Sequence, residues 1–116
     1  MIRDRSSLDP QTRTAVDAFL VVAAKRFDVA GAQVFGSRAR GTHGPASDVD
    51  VAVFLRGGRH DFSGTSLAMA DIAFDAMLET GTLVEPLPIW LDEWAHPETH
   101  SNPRLLANIA REGVAF

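Results

Sequence analysis

Asp48 and Asp50 stand two residues apart in Ser47-Asp48-Val49-Asp50, at the mouth of the apolar run Val51-Ala52-Val53-Phe54-Leu55. In an extended chain, residues two apart share a face, so the two carboxylates point the same way and Val49 points opposite. Adjacent carboxylates repel each other, and burying them unpaired costs stability. The natural compensation is a divalent cation that takes hard oxygen ligands, such as Mg²⁺. Upstream, Gly36-Ser37 closes another apolar run, and ten residues separate Ser37 from Asp48. A Gly-Ser turn can offer backbone N–H groups to phosphate oxygens. Two metal-holding acids facing a phosphate-holding turn are the chemistry of nucleotidyl transfer. Arg38 and Arg40 flank the turn. A guanidinium can hold phosphate oxygens in a bidentate fork, and Arg38, directly after Ser37, is the better placed of the two.

These side chains need rigid elements on both sides, and the apolar periodicity supplies them. Asp9-Pro10 opens a helix, with Asp9 as N-cap and Pro10 at the first helical position. Val16, Phe19, Leu20, Ala23 and Phe27 follow helical spacing. Residues 29–35 read as a strand, 37–41 as one or two helical turns, and 48–55 as the clearest strand. A turn over 56–61 leads to a helix capped by Thr65 or Ser66 and running to about Thr80. That helix is expected to bury Leu67, Ala70, Phe74, Met77 and Leu78, with Gly81 as its stop. Asp71, Asp75 and Glu79, four apart, form a solvated stripe or an acidic face for a basic partner. Residues 83–91 read as a third strand, placed at a sheet edge by Pro86 and Pro88. Residues 92–100 read as irregular. Asn102-Pro103 starts a last helix with Leu105, Leu106 and Ile109 inward, ending at Gly113. This order predicts an α/β fold: one mixed sheet of about three to four strands covered by helices.

The chain has 116 residues, no cysteine and a net charge of −4. Residues 1–116 are therefore expected to form a single domain, with 1–7 flexible. The charge argues against direct binding of nucleic acid, which needs a basic surface. A disulfide framework and a zinc–thiolate site are excluded. No apolar run approaches a membrane span and the first residues do not start a signal peptide, so the expected setting is the cytoplasm, with no membrane partner. His96 and His100 are four apart, but Pro97 between them breaks the helix a metal pair would need.

The stretch Gly36-Ser37-Arg38-Ala39-Arg40-Gly41-Thr42-His43-Gly44-Pro45-Ala46-Ser47-Asp48-Val49-Asp50 resembles the signature of the DNA polymerase beta-like nucleotidyltransferase superfamily, in which Gly-Ser, ten residues and Asp-x-Asp follow one another. The spacing, the flanking strands and Ser47 before the acid pair all agree with it. The resemblance covers about residues 12 to 90 and implies the nucleotidyltransferase fold. It makes Asp48 and Asp50 the metal-binding acids, and Gly36, Ser37, Arg38 and Ser47 the nucleotide-binding set. It also implies a third acid after the second long helix, in a pattern like Gly-x-x-Val-Asp. Here Gly81-Thr82-Leu83-Val84-Glu85 puts Glu85 in that place, as catalytic residue and metal ligand. The usual residue there is aspartate.

A bare core of this length is similar to the minimal nucleotidyltransferases encoded beside HEPN-domain proteins. That resemblance implies an antitoxin that transfers AMP from Mg-ATP to a tyrosine of a HEPN ribonuclease toxin, within a homo- or hetero-oligomer. Two alternatives stand beside it. One is a small-molecule enzyme of the aminoglycoside type; the other is an antitoxin that acts by docking without catalysis.

Overall fold

The computed structural model describes residues 3–116. Met1 and Ile2, the start of the segment expected to be flexible, lie outside the described residues. The remainder of that segment is seated on the body: Arg3 bridges Val114, and Arg5–Ser7 forms a 3-10 turn capped by the Asp4 carboxylate.

Helix α1 (Pro10–Arg26) starts at Asp9, whose carboxylate accepts the Thr12 N–H at 2.7 Å. Strand β1 (Val29–Phe35) follows, then the single turn α2 (Ser37–Arg40) and strand β2 (Val49–Leu55). Helix α3 (Phe62–Thr80) begins four or five residues earlier than expected, because Asp61, in place of Thr65 or Ser66, caps it by accepting the Gly64 N–H. Strand β3 (Val84–Trp90) runs directly into a short helix α4 (Leu91–Ala95) and a 3-10 turn over Pro97–Thr99. Residues 92–100 are therefore more regular than their sequence suggests. Helix α5 (Pro103–Glu112), capped by Asn102, leads to the two-residue strand β4 (Val114–Ala115).

The strands form one mixed sheet in the order β3-β2-β1-β4. β1 is antiparallel to β2 and β4, and β2 is parallel to β3 across the α3 crossover. β3 is an edge strand, where Pro86 and Pro88 can lack N–H donors without breaking a central ladder. The period-two alternation of β2 splits the interior. Val49, Val51, Val53 and Leu55 join Phe19, Met69, Ile72 and Trp90 in the larger core, under α1 and α3. Ala52 and Phe54 face the other way, against Ile89 and the α5 residues Leu106 and Ile109. Asp50 shares this second face by the same alternation.

The burial of α3 corrects the sequence reading. Leu67 and Leu78 are 70% exposed and Phe74 is 52% exposed, while Thr65, Met69, Ile72, Ala73 and Ala76 face inward. The helix carries two opposed apolar stripes. Hydrophobicity alone selects the one with larger side chains, but the sheet takes the one whose alanines allow close approach. Asp71, Asp75 and Glu79 are exposed, as expected of a solvated stripe. Urea unfolding separates the two stripes. Met69→Ala is expected to remove about 2–5 kcal/mol of stability, and Leu78→Gln less than about 0.5 kcal/mol. The reverse ranking would mean that the helix is rotated in solution.

Candidate active site

The strand register brings the acids together. Asp50 of β2 lies opposite Phe35 of β1 on one side and Glu85 of β3 on the other. Asp48 immediately precedes β2 and is exposed, Asp50 is half-buried, and Glu85 is exposed. Gly36 follows Phe35, so the turn into α2 closes beside Asp50. Its φ of 72° lies in the left-handed region, and a Cβ built there would collide with the Asp50 carboxylate. Glycine is therefore required twice at this position, for its backbone angle and for the space it leaves next to the acid. Ser37 opens α2, half-buried, and its carbonyl accepts the Thr42 N–H at 3.0 Å.

Crowding of the carboxyls perturbs them. Glu85 is pushed up to about 7, chiefly by its hydrogen bond with Asp48, then by burial and by the charges of Asp48 and Asp50. Asp50 is also raised, first by burial and then by the charges of Asp48 and Glu112; its hydrogen bond with Glu85 and the charge of Arg40 oppose the shift. Of the site's carboxyls, Glu85 is the one pushed furthest toward keeping its proton near neutrality. Among the described residues, no group of three or more His, Asp or Glu side chains is placed to hold a metal ion. Mg²⁺ does not need such a group, since it binds through one or two carboxylates and completes its shell with water and substrate phosphates. The donor set fits such an ion: hard anionic oxygens on neighbouring strands, a proton for the cation to displace, and space at Gly36.

Arg38 departs from expectation. Its side chain is fully buried. It donates to the Ser47 carbonyl through Nε at 3.2 Å and through Nη2 at 2.6 Å. Nη1 donates to Gln11 Oε1 at 3.0 Å and to Thr12 Oγ1 at 3.1 Å, and Nη2 reaches the Pro45 carbonyl at 3.4 Å. The guanidinium thus fastens the 41–48 loop to the start of α1 and fixes the residue before Asp48. It is not free to fork a phosphate. Ser47 is likewise engaged within the loop: its carbonyl takes Arg38, and its hydroxyl accepts the Gly44 N–H at 3.0 Å. His43 is tied to Asp9. Arg38→Gln is expected to lower folding stability by on the order of 3 kcal/mol, because the partly buried Ser47 carbonyl and the buried Thr12 hydroxyl lose a charged donor. An unchanged melting temperature with a raised KM for nucleotide would return Arg38 to phosphate binding.

A sequence model described as "Nucleotidyltransferase domain" matches residues 17–94, the span from α1 to α4 that contains Asp48, Asp50 and Glu85. The chain belongs to the nucleotidyltransferase domain family. Among solved structures, this nucleotidyltransferase is similar to a candidate nucleotidyltransferase from Sulfolobus solfataricus. The two share 20% identity, the match covers 91% of this chain and 81% of that one, and the TM-score is 0.53. At that identity the likeness concerns the fold. No curated protein matches.

The register brings Asp48, Asp50 and Glu85 to one end of the sheet beside Gly36 and Ser37, and directs Arg38 away. Arg40, which the sequence reading set at the turn as the less well placed of the two arginines, reaches the site, and so does Glu112, which that reading did not place there. Arg40 is half-exposed, and its charge acts on Asp50. Glu112 arrives from the end of α5, distant in sequence, and nothing in its own neighbourhood marks it. His96 and His100 serve locally: His100 Nδ1 accepts the Asn102 N–H at 2.9 Å, and His96 lies 3.5 Å from Glu98. No helix among the described residues is long and apolar enough to cross a membrane.

Proposed function

We propose that this nucleotidyltransferase transfers AMP from Mg-ATP to a hydroxyl of a partner protein, a tyrosine of a HEPN-domain ribonuclease toxin, and acts in the cytoplasm as its antitoxin. The observation that carries the reading is Asp50 and Glu85 side by side in register, with Asp48 adjoining and a bare glycine turn closing on them. In this reading Asp48 and Asp50 would hold Mg²⁺, with Glu85 completing the acid set. The ion would supply charge neutralisation at the phosphates. The Gly36-Ser37 turn orients the β,γ-phosphates. The acceptor hydroxyl attacks the α-phosphorus in line, a new P–O bond forms, and the bond to the β-phosphate oxygen breaks as pyrophosphate leaves. Glu85, the acid beside Asp50 on the neighbouring strand, accepts the proton of the hydroxyl.

Two features support a protein acceptor. The acids lie at an open edge, with Asp48 and Glu85 exposed, where a hydroxyl carried on another surface can approach. The outward stripe Leu67, Phe74 and Leu78 leaves α3 an apolar face of the kind that protein partners cover. Incubating the protein with the HEPN product of a neighbouring gene, ATP and Mg²⁺, followed by intact mass measurement, is expected to show AMP added to the partner. AMP appearing on an aminoglycoside and not on the partner would replace the acceptor. Tight association without any mass gain would leave docking as the antitoxin mechanism.

A further inference from the structure

Glu112 is the last residue of α5, and its position is electrostatically unfavourable on two counts. It adds a negative charge at a helix C-terminus, where the backbone dipole already presents negative charge. It also adds a fourth carboxylate to a site crowded with three, and its charge disfavours ionisation of Asp50. Even so, the side chain is only 20% exposed and is held on several sides. Oε1 accepts the Gly36 N–H at 3.3 Å, and both oxygens lie 3.2 Å from Arg40 Nη1.

The backbone around Glu112 is anchored as well. Arg3 donates to the Glu112 carbonyl and to the Ala39 carbonyl, each at 2.8 Å, and so ties α5 to α2. The next residue, Gly113, has no room for a Cβ against the Gln33 side chain and the Ile109 carbonyl. The chain therefore turns tightly from α5 into β4 along β1, and Glu112 is delivered to the Gly36 turn. A carboxylate accepting a backbone N–H and a guanidinium together makes the contacts that a phosphate oxygen would make.

We propose that Glu112 is an internal stand-in for a nucleotide phosphate: it keeps Arg40 and the Gly36 N–H aimed at the site in the free protein and gives Arg40 up to the triphosphate on binding. Arg40, in place of Arg38, is then the positioning residue for the phosphate chain. The inference rests on the nucleotidyl-transfer reading and adds a residue pair to it. It makes the two members of one ion pair act in opposite directions, which a merely structural salt bridge would not do.

Calorimetry with Mg-ATP and with inorganic tripolyphosphate tests it. Arg40→Gln is expected to weaken both ligands by about ten- to a hundredfold, the usual range for one charged hydrogen-bonding group. Glu112→Gln, which keeps the shape and removes the competing charge, is expected to tighten both several-fold. The gain should vanish when Glu112→Gln is placed on the Arg40→Gln background, since the competition acts through Arg40. In turnover assays the changes should fall on KM and leave kcat largely unaltered. Thermal melts monitor folding. Should Glu112→Gln melt early, Glu112→Ala, which also removes the competing charge, serves the same comparison. Wild-type binding with unchanged affinity in either variant, or weaker binding in Glu112→Gln, overturns the exchange and leaves the transfer reading standing. Failure of the wild-type protein to bind either ligand overturns both.

Discussion

Asp50→Asn is expected to reduce nucleotidyl transfer by about a thousandfold while leaving the ligand-free protein as stable as before, or more so. Opposite signs for activity and stability follow from one geometry. Asp50 sits half-buried between Phe35 and Glu85, with Asp48 adjoining, and burial together with the charges of Asp48 and Glu112 disfavours its ionised form. Such a carboxylate is a liability in the free chain, and asparagine fills the same volume without the charge. In the working complex the same charge is what a divalent cation needs. Loss of one anionic ligand removes transition-state stabilisation on the scale seen when a single electrostatic contact is deleted from an active site. Single-turnover rates and urea unfolding of the two proteins give both halves of the test. Strong destabilisation with transfer retained would make Asp50 a structural acid.

The parts of the fold written in local signals were legible. Asp9-Pro10 and Asn102-Pro103 start helices as their chemistry dictates, and Gly81 directly follows the end of α3. The alternation in 48–55 placed Asp50 on one face and Val49 on the other. The approach of Glu85 to Asp50 followed only from supposing that the strand after the second long helix lies beside β2, which the parallel register now shows. What was not legible depended on tertiary competition. Two apolar stripes on α3 competed for the sheet, and the bulkier one lost. Arg38 and Arg40 are identical residues two positions apart on one short turn. Only the packing of the loop against α1 decides that the first is buried against the Ser47 carbonyl and the second, half-exposed, pairs with Glu112. Strand β4 is two residues long and has no periodicity to detect, yet it is what brings Glu112 to the site.

The last prediction concerns Glu85, whose carboxyl titrates near 7 in the ligand-free fold. A cation or a hydroxyl proton can use this group only after its own proton has left. Transfer by the wild-type protein is therefore expected to rise as pH passes upward through about 7. Stability of the ligand-free protein should move the other way. The folded pKa lies above the ordinary value of 4.5, so the folded chain keeps a proton that the unfolded chain has already released. The stabilisation from this group is complete below about 4.5 and is lost as pH rises through about 7. Glu85→Gln mimics the protonated form: it retains the size and a donor for Asp48, so folding and Mg-ATP binding should persist. Turnover should fall by roughly 10²–10⁴-fold, as for loss of a general base, and both pH dependences should flatten across that range. Single-turnover rates and melting curves taken from pH 5 to about 9 measure the two together. A wild-type rate in Glu85→Gln would remove it from the chemistry. A stability profile that keeps its slope would place the proton on another carboxyl of the cluster, with Asp50 the next group whose ionised form is disfavoured there.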